Sequence, residues 1–200
     1  VLVEAIGALV PSLATPLARA MLTIALYTAL AAINIRGVKL GARVVEVLTI
    51  AKLAPLTVLI VAGLTSARWD NLVVVSAPSL TQVGEASLLL VFAFMGIEGA
   101  LSVSGEVKEP ARTVPRAILL ALLFVTAFYG AIQLAAQGIL GPALATDTSA
   151  PLAHAASTVF GAAGRWIILV GAAISTLGYV AGDMLSSPRL LYAFARDGTL

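Results

Sequence analysis

Long apolar runs separated by short polar connections organise this chain. A helix needs about 20 mostly apolar residues to cross roughly 30 Å of hydrocarbon. The first run of that kind opens at Thr15-Pro16, where Thr15 can cap the free amides and Pro16 suits the first helical position, and it continues to Ile35. The same pattern predicts further spans at about 44–64, 87–105, 115–137 and 164–186, with Pro115 near the first turn of the fourth. The basic turn "NIRGVKLGAR" separates the first two spans. The polar, irregular "TSARWDNLVVVSAPSLTQVGEA" leads into the third, and a basic amphipathic tail, 188–200, follows the fifth. Residues 1–10 have the pattern of the end of one more helix.

Composition agrees with this pattern. The chain is 60% hydrophobic and 11% charged, with a mean hydropathy of +1.04, where an ordinary soluble domain has roughly a quarter of its residues charged. An all-α polytopic membrane protein is expected, with residues 1–200 in a single membrane domain. The lipid bilayer is its solvent. The chain starts at Val1 within an apolar stretch, without an initiator methionine or a basic leader, and so reads as an internal piece of a longer protein. With no cysteine and only His154 as a histidine, neither a metal centre nor a cofactor is expected. A net charge of +2 is too small to suggest nucleic acid. Its distribution is more informative. Arg36, Lys39 and Arg43, then Lys108, Arg112 and Arg116, then Arg189 and Arg196 fall on one side if the spans alternate, which places that side in the cytoplasm.

Within the third span, "FMGIEGA" carries an acid. Glu98 lies about ten residues into the span, about 15 Å deep, where a charged group is costly. One reading makes it a hydrogen-bonded tie between helices. The other makes it part of a site, because Gly96 and Gly99 bracket it and glycine lowers the cost of leaving helical geometry. A helix broken at the midplane exposes backbone groups that can hold zwitterions and ions.

Three stretches carry a family resemblance. "FAFMGIEGALSVSGEVKEPARTVPRAI" resembles the sixth helix and following loop of amino-acid permeases of the amino acid/polyamine/organocation superfamily, with an F-x-G-x-E core and then G-E-x-K-x-P-x-R-x-x-P-R-A-I. "NIRGVKLGARVVEVLTIAKLAPL" is similar to the family's junction of helices four and five, and "SSPRLLYAFARDGTL" to the segment after helix eight. The resemblance implies helices four to eight of a twelve-helix, leucine-transporter-like bundle of five plus five inverted repeats. Helices one to three and nine to twelve of the same polypeptide would then be partners, with the first binding the substrate carboxylate. It also implies a multi-pass protein of the plasma membrane, in which Phe92, Ala93, Phe94, Met95, Gly96 and Ile97 bind the substrate. The carbonyls from Phe92 to Met95 would hold its α-amino group, and Met95 and Ile97 would shape the pocket. Phe92 and Glu98 would act as gates. Phe94 and Ile97 have a second reading, as faces toward lipid or a neighbouring helix.

The second span holds Lys52 about 12 Å deep, with Pro55 freeing the carbonyl of Ala51 nearby. The resemblance makes Lys52 a proton-coupling residue bordered by Ser175 and Thr176; the alternatives are a lysine paired structurally with a carboxylate, and hydroxyls bonded to their own helix. The function implied is secondary-active transport of an amino acid, with a neutral one favoured, by alternating access and coupled to protons. Exchange on the same fold is the nearest alternative, and a channel or structural membrane module a remoter one. An enzyme is not expected, since H-E-x-x-H, G-x-S-x-G and cysteine are all missing. Three further expectations concern single groups: small residues Gly171, Ser175, Gly178 and Gly182 form a packing stripe, Thr126, Tyr129, Gln133 and Gln137 form a polar stripe, and Asp183 pairs with the basic tail.

Overall fold

Thr15 accepts a hydrogen bond from the Ala18 amide at 3.3 Å, and Pro16 opens helix α1, Pro16–Ile35. The computed structural model describes residues 15–73, 77–97, 99–102, 104–147 and 149–198. Residues 1–10, Glu98 and the last two residues of the tail therefore lie outside the described residues. Helix α2 is Val38–Ser66, α3 Leu80–Ala93, α4 Gly99–Ser102, α5 Pro110–Leu140, α6 Ala143–Thr146 and α7 Pro151–Arg196. Short 3₁₀ turns cover Trp69–Leu72 and Ser104–Glu106. No strand occurs among the described residues. Four helices, α1, α2, α5 and α7, are long and apolar enough to cross a membrane. The protein is an all-α polytopic membrane protein.

Helix ends differ from the hydropathy pattern wherever local chemistry extends or stops a helix. Helix α2 begins at Val38 rather than near residue 44, because the reversal after α1 needs only Arg36 and Gly37, the latter at φ 124. Lys39 and Arg43 are good helix formers and ride on the first turns instead of forming a loop. Helix α3 starts at Leu80 rather than 87, since Ser79 and Gln82 form a reciprocal capping box at 3.3 and 2.9 Å. It stops after 14 residues, so the stretch 87–105 is not one helix. Helix α5 begins at Pro110, five residues before Pro115, and runs on to Leu140, where Gly141 at φ 55 ends it. Helix α7 starts at Pro151, turns sharply at Gly161 (φ 66, ψ −153), and continues through Pro188 to Arg196, which makes most of the amphipathic tail continuous with the span.

Helix α2 is the centre of the packing. Along α7 it runs antiparallel in a regular register: Leu185 meets Gly41, Gly178 faces Leu48, and Gly171 faces Pro55. The expected small-residue stripe thus packs at Gly171 and Gly178, whereas Gly182 meets nothing. Beside α5 the C-terminal half of α2 and the residue that follows it form a second close seam, Gly63 on Ala135 and Ala67 on Gly138. Leu59, Ala135, Ala136, Ala153, Ala155, Ala156 and Ile168 supply the core, and among the described residues no polar side chain is buried. Small residues dominate because lipid offers no hydrophobic drive between helices, so close backbone approach must supply the attraction.

Candidate functional site

The third span breaks where its glycines suggest. Phe94 leaves helical geometry at φ −105, ψ 1, and Gly96 sits at φ 98, a conformation that costs glycine little. The ending is tightened by two short turns, with the Phe94 amide donating to the Val91 carbonyl at 3.2 Å and the Met95 amide to that of Phe92 at 3.4 Å. The Ala93 carbonyl takes a different donor, the Tyr129 hydroxyl of α5, at 3.4 Å. The carbonyls of Phe94 and Met95 accept no hydrogen bond among the described residues. Such groups at a helix end carry partial negative charge.

A cavity of about 210 Å³ opens beside this break, between it and α5. Ala93, Phe94, Met95 and Ile97 line one wall; Ala121, Leu122, Val125 and Tyr129 line the other. The rings of Phe94 and Tyr129 lie 6.0 Å apart and tilted by 60°, a favoured aromatic geometry. Phe92 is outside this lining and 68% exposed on α3. Glu98 lies outside the described residues. Tyr129 was visible in the sequence only as one member of a polar stripe; nothing there singled it out as the donor to the break.

A larger cavity, about 400 Å³, lies between α2 and α7 near Pro55, Leu59, Phe160 and Gly164. Its lining side chains are all apolar, so none of them offers a polar group to a charged ligand. The smaller cavity is the better candidate site for that reason.

Lys52 is half-buried on the face of α2 that meets α7 and makes no hydrogen bond or ion pair among the described residues. The register that sets Leu48 against Gly178 and Pro55 against Gly171 brings Lys52 to the level of Ser175. Thr176 donates to the Ala172 carbonyl of its own helix at 3.0 Å. A Cβ added at Gly99, just after the break, would lie 3.4 Å from the Ser186 hydroxyl, about eleven residues or 16 Å further along α7. Lys52 and the segment after the break therefore lie at different levels along α7.

Asp183 has a partner other than the basic tail, and His154 has one as well. Asp183 accepts from Ser187 at 3.2 Å, while the basic tail gives Arg189 to Glu106, Nε to Oε1 at 2.8 Å. His154 is exposed and stands on the first turn of α7 with Nδ1 3.0 Å from Asp147. The Asp147 carboxyl is held below its usual value by the Ala150 amide first, then by the amide and hydroxyl of Ser149 and by His154.

Sequence comparison then decides the family. The amino acid permease pattern matches residues 1–200.

The chain belongs to the amino acid permease family.

Among curated relatives, this permease chain is 36% identical over 168 residues to the serine/threonine exchanger SteT of Bacillus subtilis, covering 83% of this chain and 38% of the relative. It is 30% identical over 169 residues to the methylthioribose transporter of the same organism, covering 84% and 36%. It is 28% identical over 182 residues to the branched-chain amino acid permease BcaP of Lactococcus lactis, covering 85% and 38%. The chain spans about two fifths of the length of these relatives. No solved structure matches it.

Proposed function

We propose that these residues form part of a secondary-active transporter that carries an amino acid across the plasma membrane by alternating access and in company with protons. The observation that carries this reading is the interrupted helix: Phe94 and Met95, whose carbonyls accept no hydrogen bond among the described residues, line a small cavity beside Tyr129. An α-ammonium group is the natural partner of such carbonyls, and an apolar wall of Ala121, Leu122 and Val125 suits a neutral side chain. Ala93 and Tyr129 hold the break in shape. The side facing the cytoplasm is the one carrying Arg36, Lys39, Lys108, Arg112 and Arg189. In this reading Glu98 and Phe92 gate the site, and helix one of the longer protein takes the carboxylate. Lys52, level with Ser175 and lacking a described anionic partner, is the group assigned to proton coupling.

Exchange without net proton movement is the second reading, favoured by the 36% identity to a serine/threonine exchanger. Both are tested on the full-length protein in liposomes with a panel of labelled neutral and cationic amino acids and methylthioribose. Uptake of a neutral amino acid that rises with an inward proton gradient supports the first reading. Uptake that requires internal amino acid and ignores the gradient establishes exchange. Selective uptake of methylthioribose, or uptake that does not saturate, overturns the amino-acid reading.

A further inference from the structure

The two halves of the interrupted helix are held by different helices. Before the break, α3 is exposed throughout its length, and its end is tied to α5 through Tyr129, Ala93 and Phe94. After the break, the contacts shift to α7. Gly99 packs beside Ser186, whose hydroxyl would lie 3.4 Å from a Cβ added at Gly99, and Glu106, in the following 3₁₀ turn, accepts from the Arg189 Nε at 2.8 Å. Ser186 and Arg189 are three residues apart and share a face of α7. The guanidinium is fixed from both sides, because its Nη1 also donates to the Leu185 carbonyl of its own helix. Other charged groups nearby have separate partners: Asp183 is bonded to Ser187, and Glu109 sits 3.9 Å from Arg112.

We propose that Arg189 is a positioning residue for transport: acting through Glu106, it keeps α4 and the turn after it docked on α7, so that the two halves of the interrupted helix move against each other at residues 94–97. The proposal rests on the transport reading above. Gly96 at φ 98 supplies the pliable link between the halves. Arg189 is 21% exposed and Glu106 44%, so the pair is strong enough to bias a conformational equilibrium yet weak enough to open within a transport cycle.

The test uses the full-length protein in liposomes, with Ser186→Cys as a reporter beneath Gly99 and any cysteine elsewhere in the protein removed; none occurs in these 200 residues. Labelling by a membrane-impermeant maleimide is compared for Glu106→Gln, Arg189→Gln and the double variant. A partly exposed pair shifts a two-state equilibrium by about two- to five-fold. Each single change is expected to speed labelling by that factor and to lower maximal uptake, with the half-saturating concentration moving less than about two-fold. The double variant should match the worse single one, because both remove the same contact. Should Arg189→Gln fail to fold, Glu106→Gln at its more exposed position carries the prediction by itself. Unchanged labelling in the folded single variants, or effects that multiply in the double, overturns the proposal. Absence of any uptake in the unsubstituted protein would instead remove the transport reading, and the labelling would still decide whether the clasp exists.

Discussion

Replacing Tyr129 by phenylalanine removes one oxygen, the donor to the Ala93 carbonyl, and keeps the ring that lies 6.0 Å from Phe94. At 3.4 Å the bond is long and Tyr129 is 42% exposed, so its net worth belongs at the low end of the usual range of about 0.5–1.5 kcal/mol. Hydrogen bonds between membrane helices average about 0.6 kcal/mol, which corresponds to a factor of about three. Tyr129→Ala removes the aromatic pair as well, which adds about 0.5–1.5 kcal/mol and brings the total to roughly five- to thirty-fold. The assay is the initial rate of amino acid uptake against concentration, for full-length protein in liposomes at matched folded yield. The ratio of maximal rate to half-saturating concentration should fall about three-fold for Tyr129→Phe and about ten-fold for Tyr129→Ala. If Tyr129→Phe behaves as the unsubstituted protein while Tyr129→Ala is damaged, the hydroxyl does not shape the break and the residue acts only by packing. If both behave as the unsubstituted protein, the cavity beside α5 is not the site.

Gly138→Ala should be destabilising, since the added methyl carbon would stand 2.6 Å from the Ala67 methyl carbon and 3.4 Å from its Cα; overpacking of this kind costs about 1–3 kcal/mol. Thermal unfolding should show a clear fall in Tm for Gly138→Ala and none for Gly130→Ala, where nothing lies within 4 Å of the added carbon. Lys52→Ala should reduce accumulation driven by a proton gradient and leave counterflow of labelled amino acid in place; a variant that folds normally and keeps its accumulation ratio removes Lys52 from the mechanism. For Asp147 the folded carboxyl is depressed, so its stabilising contribution is complete above the unfolded value, about 3.9, and is lost as pH falls through the lower folded value. Asp147→Asn should therefore lower Tm at neutral pH, and the gap from the unsubstituted protein should close on acidification below about pH 4; a gap that does not change with pH would assign the loss to hydrogen bonding alone.

Hydropathy along the chain determined that this protein is helical and spans a membrane, because a run such as residues 44–64 can satisfy its backbone in lipid only as a helix. The motif around Gly96 also announced the break, since glycine's conformational freedom is a property of the residue itself. Helix ends were less legible. Hydropathy responds to side-chain polarity, whereas the ends at Val38, Leu80 and Pro110 are set by backbone capping and by one residue, Gly37 or Glu109, in an unusual conformation. Partners were least legible of all. That Arg189 meets Glu106 rather than Asp183, that Tyr129 donates to Ala93, and that Asn71 donates to the Gly138 carbonyl at 3.0 Å while Gln137 donates to that of Asn71 at 3.2 Å, depend on residues far apart in the chain. Those contacts follow from the register in which α2, α5 and α7 pack, which small residues such as Gly63, Gly138 and Gly171 permit but which only the assembled helices select.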